Sequence, residues 1–383
     1  MGRFHAGAFH QLRDAIGILA QGSDVLDRRV SKGCRRCARF LSLPKSREEK
    51  IKAIVIREFG GPEVMKLEEV PTPEPGPGEV LIEVASVSVN RTLDCIVRSG
   101  KYPRPVKLPH VLGVDPTGTV VVVGKDVTDR KLGDRVAMTL HLSKPGEPLN
   151  LIGIDCWGGY AKYLKLPAKN TYLLPDGLDF HTATVVARHA PLAHNMLRNK
   201  VKLQSGEWVL VMGAAGGLAS FIVQIAKHLG ARVIAAAGTD HHVEVAMSLG
   251  ADHGINYRKA DLTAEVLKLT GGKGAQVVCE NIGDPELFPK AFAALAMRGR
   301  LVTAGGHGGG VVPLHIFNLY AKNTTIYGST EQTTEDMVES LKAAAEGHLK
   351  ALIDQVLPLS EAVRAHQIVE GRGGTGKVLL APE

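Results

Sequence analysis

Trp208-Val209-Leu210-Val211-Met212-Gly213-Ala214-Ala215-Gly216-Gly217-Leu218-Ala219 opens on five residues that are apolar and partly β-branched. That is how a buried strand reads. It then passes into a turn of small residues. Phe221, Ile222, Ile225, Ala226 and Leu229 follow at helical spacing, Gly230 stands where a helix stops, and Val233 to Ala237 begins a second buried strand. The unit is strand, turn, helix, strand, of the length a parallel βαβ crossover needs.

The turn has a chemical use. The first N–H groups of a helix have no partner in the helix, and its dipole favours an anion there. Gly216 and Gly217 carry no Cβ to hold a pyrophosphate away. The dinucleotide fingerprint is G-x-G-x-x-G/A; the spacing here, Gly213-x-x-Gly216-x-x-Ala219, is a variant of it. Its place between a buried strand and an amphipathic helix points to a dinucleotide site built on Gly213, Ala215, Gly216, Gly217 and Leu218. An NAD site carries an acid at the end of the second strand, where it takes the ribose hydroxyls. Here that place holds Ala237, followed by Gly238 and Thr239. A small residue leaves room for a 2′-phosphate, with the Thr239 hydroxyl, His242, Tyr257 and Arg258 nearby, so the expected cofactor is NADPH. Two alternatives stand: Asp240 swings in as the ribose acid, or His241-His242 is a solvated helix start.

The chain has 383 residues, 44% hydrophobic and 22% charged, as an ordinary soluble protein of two domains has. No apolar run approaches the ~20 residues of a membrane span. The net charge of +7 is concentrated at one end: residues 1–50 hold 11 Lys/Arg against 5 Asp/Glu. The rest is nearly neutral, which argues against a nucleic-acid or membrane partner. The basic leader has a possible helix from Phe9 to Ala20 and a basic run from Arg35 to Arg39. It reads as a transit peptide, a flexible arm or the product of an upstream start. Cys34-Arg35-Arg36-Cys37 has no second pair to make a zinc ribbon. Five widely spread cysteines suggest a reducing compartment, and the expected location is cytoplasmic.

Between residues 51 and 176 short strands alternate with turns: Lys52–Arg57, Glu79–Asn90, Leu112–Pro116, Gly118–Gly124, Leu132–Val136, and one starting at Gly158. This suggests a small β-barrel-like domain. From about Thr182 the period is helical. Val277–Gly283 and Gly299–Gly306 repeat the strand-then-Gly signature, placing Asn281 and Gly305 at strand ends that line a crevice in doubly wound sheets.

An ordered set of motifs now carries a resemblance: Asn90…Asp94…Arg98-Ser99-Gly100, Pro109-His110-Val111-Leu112-Gly113, Val123-Gly124, Gly133-Asp134-Arg135-Val136, Gly158-Gly159-Tyr160-Ala161, Leu249-Gly250-Ala251-Asp252, Ile255-Asn256-Tyr257-Arg258 and Thr375-Gly376-Lys377-Val378. From about residue 51 onward the sequence resembles the medium-chain dehydrogenase/reductase superfamily. The resemblance implies an α/β fold in which a Rossmann doubly wound parallel sheet (177–325) is inserted in a GroES-like β-barrel catalytic domain (51–176, completed by 326–383). It also implies Lys377 at the cofactor and a homodimer paired along the strand near Thr325-Ile326-Tyr327.

The alcohol-dehydrogenase branch of that superfamily holds a catalytic zinc, which needs three good ligands. Here Asn90 stands where the first ligand would be, Gly113-Val114-Asp115 replaces Gly-His-Glu, and the third place falls between Val186 and Leu192, where His189 stands alone. Cys156 is the one cysteine between Thr139 and Trp157, so the structural-zinc lobe is missing. No metal is therefore expected, and the sequence is similar to the zinc-free quinone oxidoreductases and enone reductases. In that branch Asn90 and Tyr102 match pocket positions, giving them the role of donors to a carbonyl or quinone oxygen. The segment from Asn90 to Asp94 is one residue longer than the common Asn-Pro-Val-Asp pattern, so Asn90 and Arg91 compete for one place. In the alternative, Asn90 caps a turn and Tyr102 packs beside Pro103. The expected function is zinc-independent, NADPH-dependent hydride transfer to a quinone or α,β-unsaturated carbonyl. A zinc alcohol dehydrogenase using Asp115 and His189, or a weakly active NADPH-binding protein, are the alternatives.

Overall fold

The computed structural model describes residues 49–143, 147–371 and 374–382. The leader features, from the Phe9–Ala20 helix to Cys34 and Cys37, lie outside the described residues. Trp208–Met212 (β1) and Arg232–Ala237 (β2) are strands, and His253–Asn256 (β3), Ala275–Glu280 (β4), Leu295–Thr303 (β5) and Thr325–Gly328 (β6) join them in one sheet. The order is β3-β2-β1-β4-β5-β6, and every neighbouring pair is parallel. This is the doubly wound arrangement, with its switch point between β1 and β4. Val209 to Met212 are wholly buried because helices cover both faces.

Two helices position the site. Phe180–His194 (α1) is capped by Asp179, whose carboxylate accepts the Thr182 N–H. Gly217–His228 (α2) follows β1 and buries Phe221, Ile222 and Ile225 against the sheet. It ends at Leu229, where Gly230 takes a φ of +81° that favours glycine.

The other domain is mainly antiparallel, with Ile353–Pro358 lying parallel to Lys377–Ala381. Glu79–Ser88 pairs with Thr117–Val123, with Tyr163–Pro167, and with Lys377–Ala381 from the far end of the chain. The last pairing sets Leu379 opposite Ser88 and so brings Lys377 beside Asn90. Gly158–Ala161, read above as the start of a strand, is instead an irregular crossing. The N–H groups of Gly158, Gly159 and Tyr160 donate to the carbonyls of Val111, Gly113 and Leu112. A Cβ on Gly158 would come within 2.4 Å of the Gly113 oxygen, so glycine here permits backbone contact rather than pleating. Likewise, of the segment 110–116 only His110–Val111 is strand, because Gly113 turns the chain at a φ of +104°.

Candidate functional site

A cleft of about 480 Å³ runs along the ends of β1, β2 and β4 and reaches the strand that carries Lys377. Gly216 is the N-cap of α2 with no side chain capping it, so the first N–H groups of the helix face the cleft. A Cβ at Gly216 would meet only the Gly213 oxygen, at 3.1 Å, and Gly213 itself has a φ of +63°. Gly217 has another reason to be glycine. A Cβ there would stand 2.8 Å from Nε2 of His189 on α1, so its absence makes room for an imidazole rather than for a ligand.

Of the expected cofactor residues, the structure brings Gly213, Ala215, Gly216, Gly217, Gly238, His242, Tyr257 and Lys377 to the cleft wall. Leu218, Thr239, Asn281 and Gly305 do not line it. Leu218 packs against the hydrophobic core. The Thr239 oxygen accepts the His242 N–H at 3.2 Å and caps the helix Asp240–Ser248. Gly305 lies against the Asn281 carbonyl, where a Cβ would sit 2.4 Å from that oxygen. Arg91, the competitor of Asn90, lines the cleft, and so do Ser220, Ile282, His307 and Asp354, which were not singled out from the sequence.

At the β2 end, Tyr257 lies over Gly238. Asp240 accepts from Asn256 Nδ2 at 2.7 Å and pairs with Lys259, which hold its carboxyl below the usual range. Its carboxylate therefore has partners of its own rather than facing a ribose. Burial and the neighbouring His241 hold His242 below the ordinary histidine value.

At the other end of the cleft the extra residue between Asn90 and Asp94 is absorbed as a π-turn over Arg91–Cys95, with the Cys95 N–H donating to the Asn90 carbonyl at 3.2 Å. The turn keeps Asn90 and Asp94 together: one Asp94 oxygen accepts the Asn90 N–H at 2.8 Å, the other the Gly113 N–H at 3.0 Å. It leaves Arg91 exposed toward the cleft. The Asn90 amide is fully engaged. Its Oδ1 accepts from Lys377 Nζ at 2.7 Å, and its Nδ2 donates to Asp115 at 3.0 Å and to Ser88 Oγ at 3.1 Å. Asp115 also accepts the Ser88 N–H at 2.9 Å and the Ser88 hydroxyl. Desolvation, reinforced by the charge of Asp115, pushes Asp94 up to about 7. Desolvation holds Lys377 below the usual lysine value, partly offset by Asp115.

Tyr102 is not part of this network. It is half-buried against the core of the antiparallel domain, with the Arg104 guanidinium 5.7 Å from its ring. Val114, Asp115 and Arg188 share one small cavity. Nε2 of His189 is buried without a partner, and burial followed by the charges of Lys377 and Arg188 keeps the ring well below the ordinary histidine value. Among the described residues no three His, Cys, Asp or Glu side chains come together as a metal site.

The chain is similar to known proteins in sequence and fold. Residues 76–176 match the family described as alcohol dehydrogenase GroES-like domain, and residues 217–346 the family described as zinc-binding dehydrogenase. The quinone oxidoreductase of Homo sapiens is 31% identical over 338 residues, covering 86% of this chain and 97% of that protein. Among solved structures, AibC superposes with a TM-score of 0.83 at 32% identity, over 87% of this chain and 96% of that one. A NAD-dependent alcohol dehydrogenase gives 0.79 at 35% identity, over 86% and 99%.

Proposed function

The chain belongs to the medium-chain dehydrogenase/reductase superfamily, in its quinone oxidoreductase-like branch, and on that premise we propose that it is a zinc-independent, NADPH-dependent reductase of quinones or α,β-unsaturated carbonyls. The observation that carries this reading is the junction of a dinucleotide cleft with a polar network whose groups are already engaged, which leaves His189 alone of the three zinc positions with a free donor atom. Asn90 donates and accepts within the protein, Val114 is apolar, Asp115 is engaged by Ser88 and Asn90, and a guanidinium shares its cavity. A zinc ion needs three free ligands and no cation among them. These residues do not fit one.

The preference for the phosphorylated cofactor rests on Ala237 and Gly238 at the end of β2 and on Asp240 being held by Lys259 and Asn256. A bound nicotinamide would supply the hydride; the protein's part is to orient the acceptor and to meet negative charge as it grows on an oxygen. The amides at the start of α2 take the pyrophosphate, and His242 and Tyr257 flank the place of the 2′-phosphate. Lys377, through Asn90, fixes the floor on which the acceptor lies. We also propose a homodimer paired along β6. The decisive assay is NADPH oxidation against a panel of quinones and enones, with and without a chelator. Turnover insensitive to chelation is expected. Activity lost on chelation and restored by zinc overturns the zinc-free reading, and no turnover with any acceptor favours a binding protein.

A further inference from the structure

We propose that Arg188 is the group that holds the acceptor's carbonyl oxygen as it becomes an oxyanion, a role given to a metal in the zinc enzymes of this fold. The inference rests on the hydride-transfer reading above and assigns it a residue.

Arg188 makes no hydrogen bond or ion pair with any described residue, and its Nε is buried without an acceptor. A guanidinium keeps its charge and presents five N–H donors in a rigid plane. A buried guanidinium N–H left without an acceptor costs stability unless something arrives to accept from it. Asp115 lines the same cavity, but its oxygens already accept from the Ser88 N–H, the Ser88 hydroxyl and the Asn90 amide.

The cavity beside Arg188 is small. Its volume is about 30 Å³, between Arg188, Asp115, His141 and Gln332. A water-sized group fits there, so the space admits a carbonyl oxygen. It lies beside the cofactor cleft. Val185, three residues earlier on α1, lines that cleft and shares a helix face with Arg188, and His189, the next residue, meets Gly217 at the start of α2. The Lys377–Asn90–Asp115 chain of hydrogen bonds joins the floor of the cleft to the cavity. The donors assigned to this task from sequence do not serve it: the Asn90 amide is engaged, and Tyr102 lines neither space.

The chemistry then balances. Hydride from the reduced nicotinamide adds to the β-carbon of an enone, the C=C electron pair moves toward the carbonyl, and the oxygen takes the negative charge while Arg188 donates to it. A proton from water joins the α-carbon, the C=O bond re-forms, and the saturated carbonyl leaves.

Two measurements on the full chain test this. In the first, Arg188→Gln lowers kcat and kcat/KM for an enone together, by about the 10²–10³-fold seen when one oxyanion donor is removed. Arg188→Lys recovers part of the loss, and guanidinium chloride at millimolar concentration restores turnover to Arg188→Ala, which a purely structural arginine would not permit. The second needs no turnover. With NADP⁺ present, 4-nitrophenol is titrated optically; the wild type binds it as the phenolate and lowers its apparent pKa, and Arg188→Gln does not, with melting curves confirming that the variant is folded. A phenolate shift equal in wild type and variant, or enone turnover within threefold of wild type without Arg188, overturns the proposal. A wild-type shift that depends on Arg188 in a protein that reduces nothing supports the oxyanion site and sinks the reductase reading instead.

Discussion

Asn90 holds Lys377, Asp115 and Ser88 through one amide group, and all but Lys377 are buried. Asn90→Ala strands these partners, and each unmatched buried group costs about 1–3 kcal/mol. The expected result is a lower melting temperature together with lost turnover, whereas Tyr102→Phe leaves the network whole and has the smaller effect on both. Parallel denaturation and kinetics on the two variants check the order. Asp94 gives the pH dependence. Its folded value of about 7 lies above the ordinary aspartate value of about 3.9, so folding favours the protonated acid. That contribution is complete below about pH 4 and is lost as pH rises through about 7. Asp94→Asn cannot ionise, so its melting temperature should decline less than that of the wild type between about pH 5 and 8. Parallel slopes would show that Asp94 does not titrate there. His242 gives ligand binding a pH dependence of the same sign. Burial and His241 lower its value, and a 2′-phosphate would draw a proton onto it. NADPH affinity is therefore expected to weaken as pH rises through the histidine range, and NADH affinity to stay level; fluorescence titration of both measures this.

At the scale of elements, the meeting of α1 and α2 is governed by Gly217 and His189. Gly217→Ala puts a methyl 2.8 Å from Nε2, and overpacking of this kind costs about 1–3 kcal/mol. If the imidazole is the cause, His189→Ala relieves it, and a double-mutant cycle gives a coupling of about 0.5–3 kcal/mol; additive effects would place the strain elsewhere. This pair also shows where sequence reading stops. The periodicity of Phe221, Ile222 and Ile225 and the stop at Gly230 locate α2 because they are local signals. Gly217 looks like a phosphate glycine from its neighbours, and only the packing of α1 on α2 reveals its other partner. Asn90 looks like a substrate donor until the strand Lys377–Ala381 is seen to return beside it. Arg188 had a faint signal, a charge that follows the apolar run Val185-Val186-Ala187, but nothing in its spacing says that its buried Nε goes unmatched.

For the whole molecule, β6 matters because it ends the parallel sheet: it pairs with β5 alone, through Arg300 to Thr303. An edge strand left open is a template for another chain, and natural proteins cover or charge it. This one reads Thr325-Ile326-Tyr327-Gly328, with neither charge nor proline. The helix Ile316–Ala321 before it has no buried residue, and Ile316, Phe317 and Tyr320 are each about 60% exposed. Apolar side chains grouped beside a bare edge mark an interaction site. A two-fold axis across β6 would make both partners the same surface and continue the six strands into twelve, the closed symmetry most homo-oligomers adopt. Light scattering is expected to give twice the chain mass. Phe317→Asp combined with Ile326→Asp should give the monomer, because the interface would then bury only negative charge contributed equally by both partners. The Arg188 cavity and the cofactor cleft draw no residue from β6, so NADPH affinity of that monomer is the control. A single-chain mass for the wild type removes the interface, and a dimer that survives both substitutions moves it to another face.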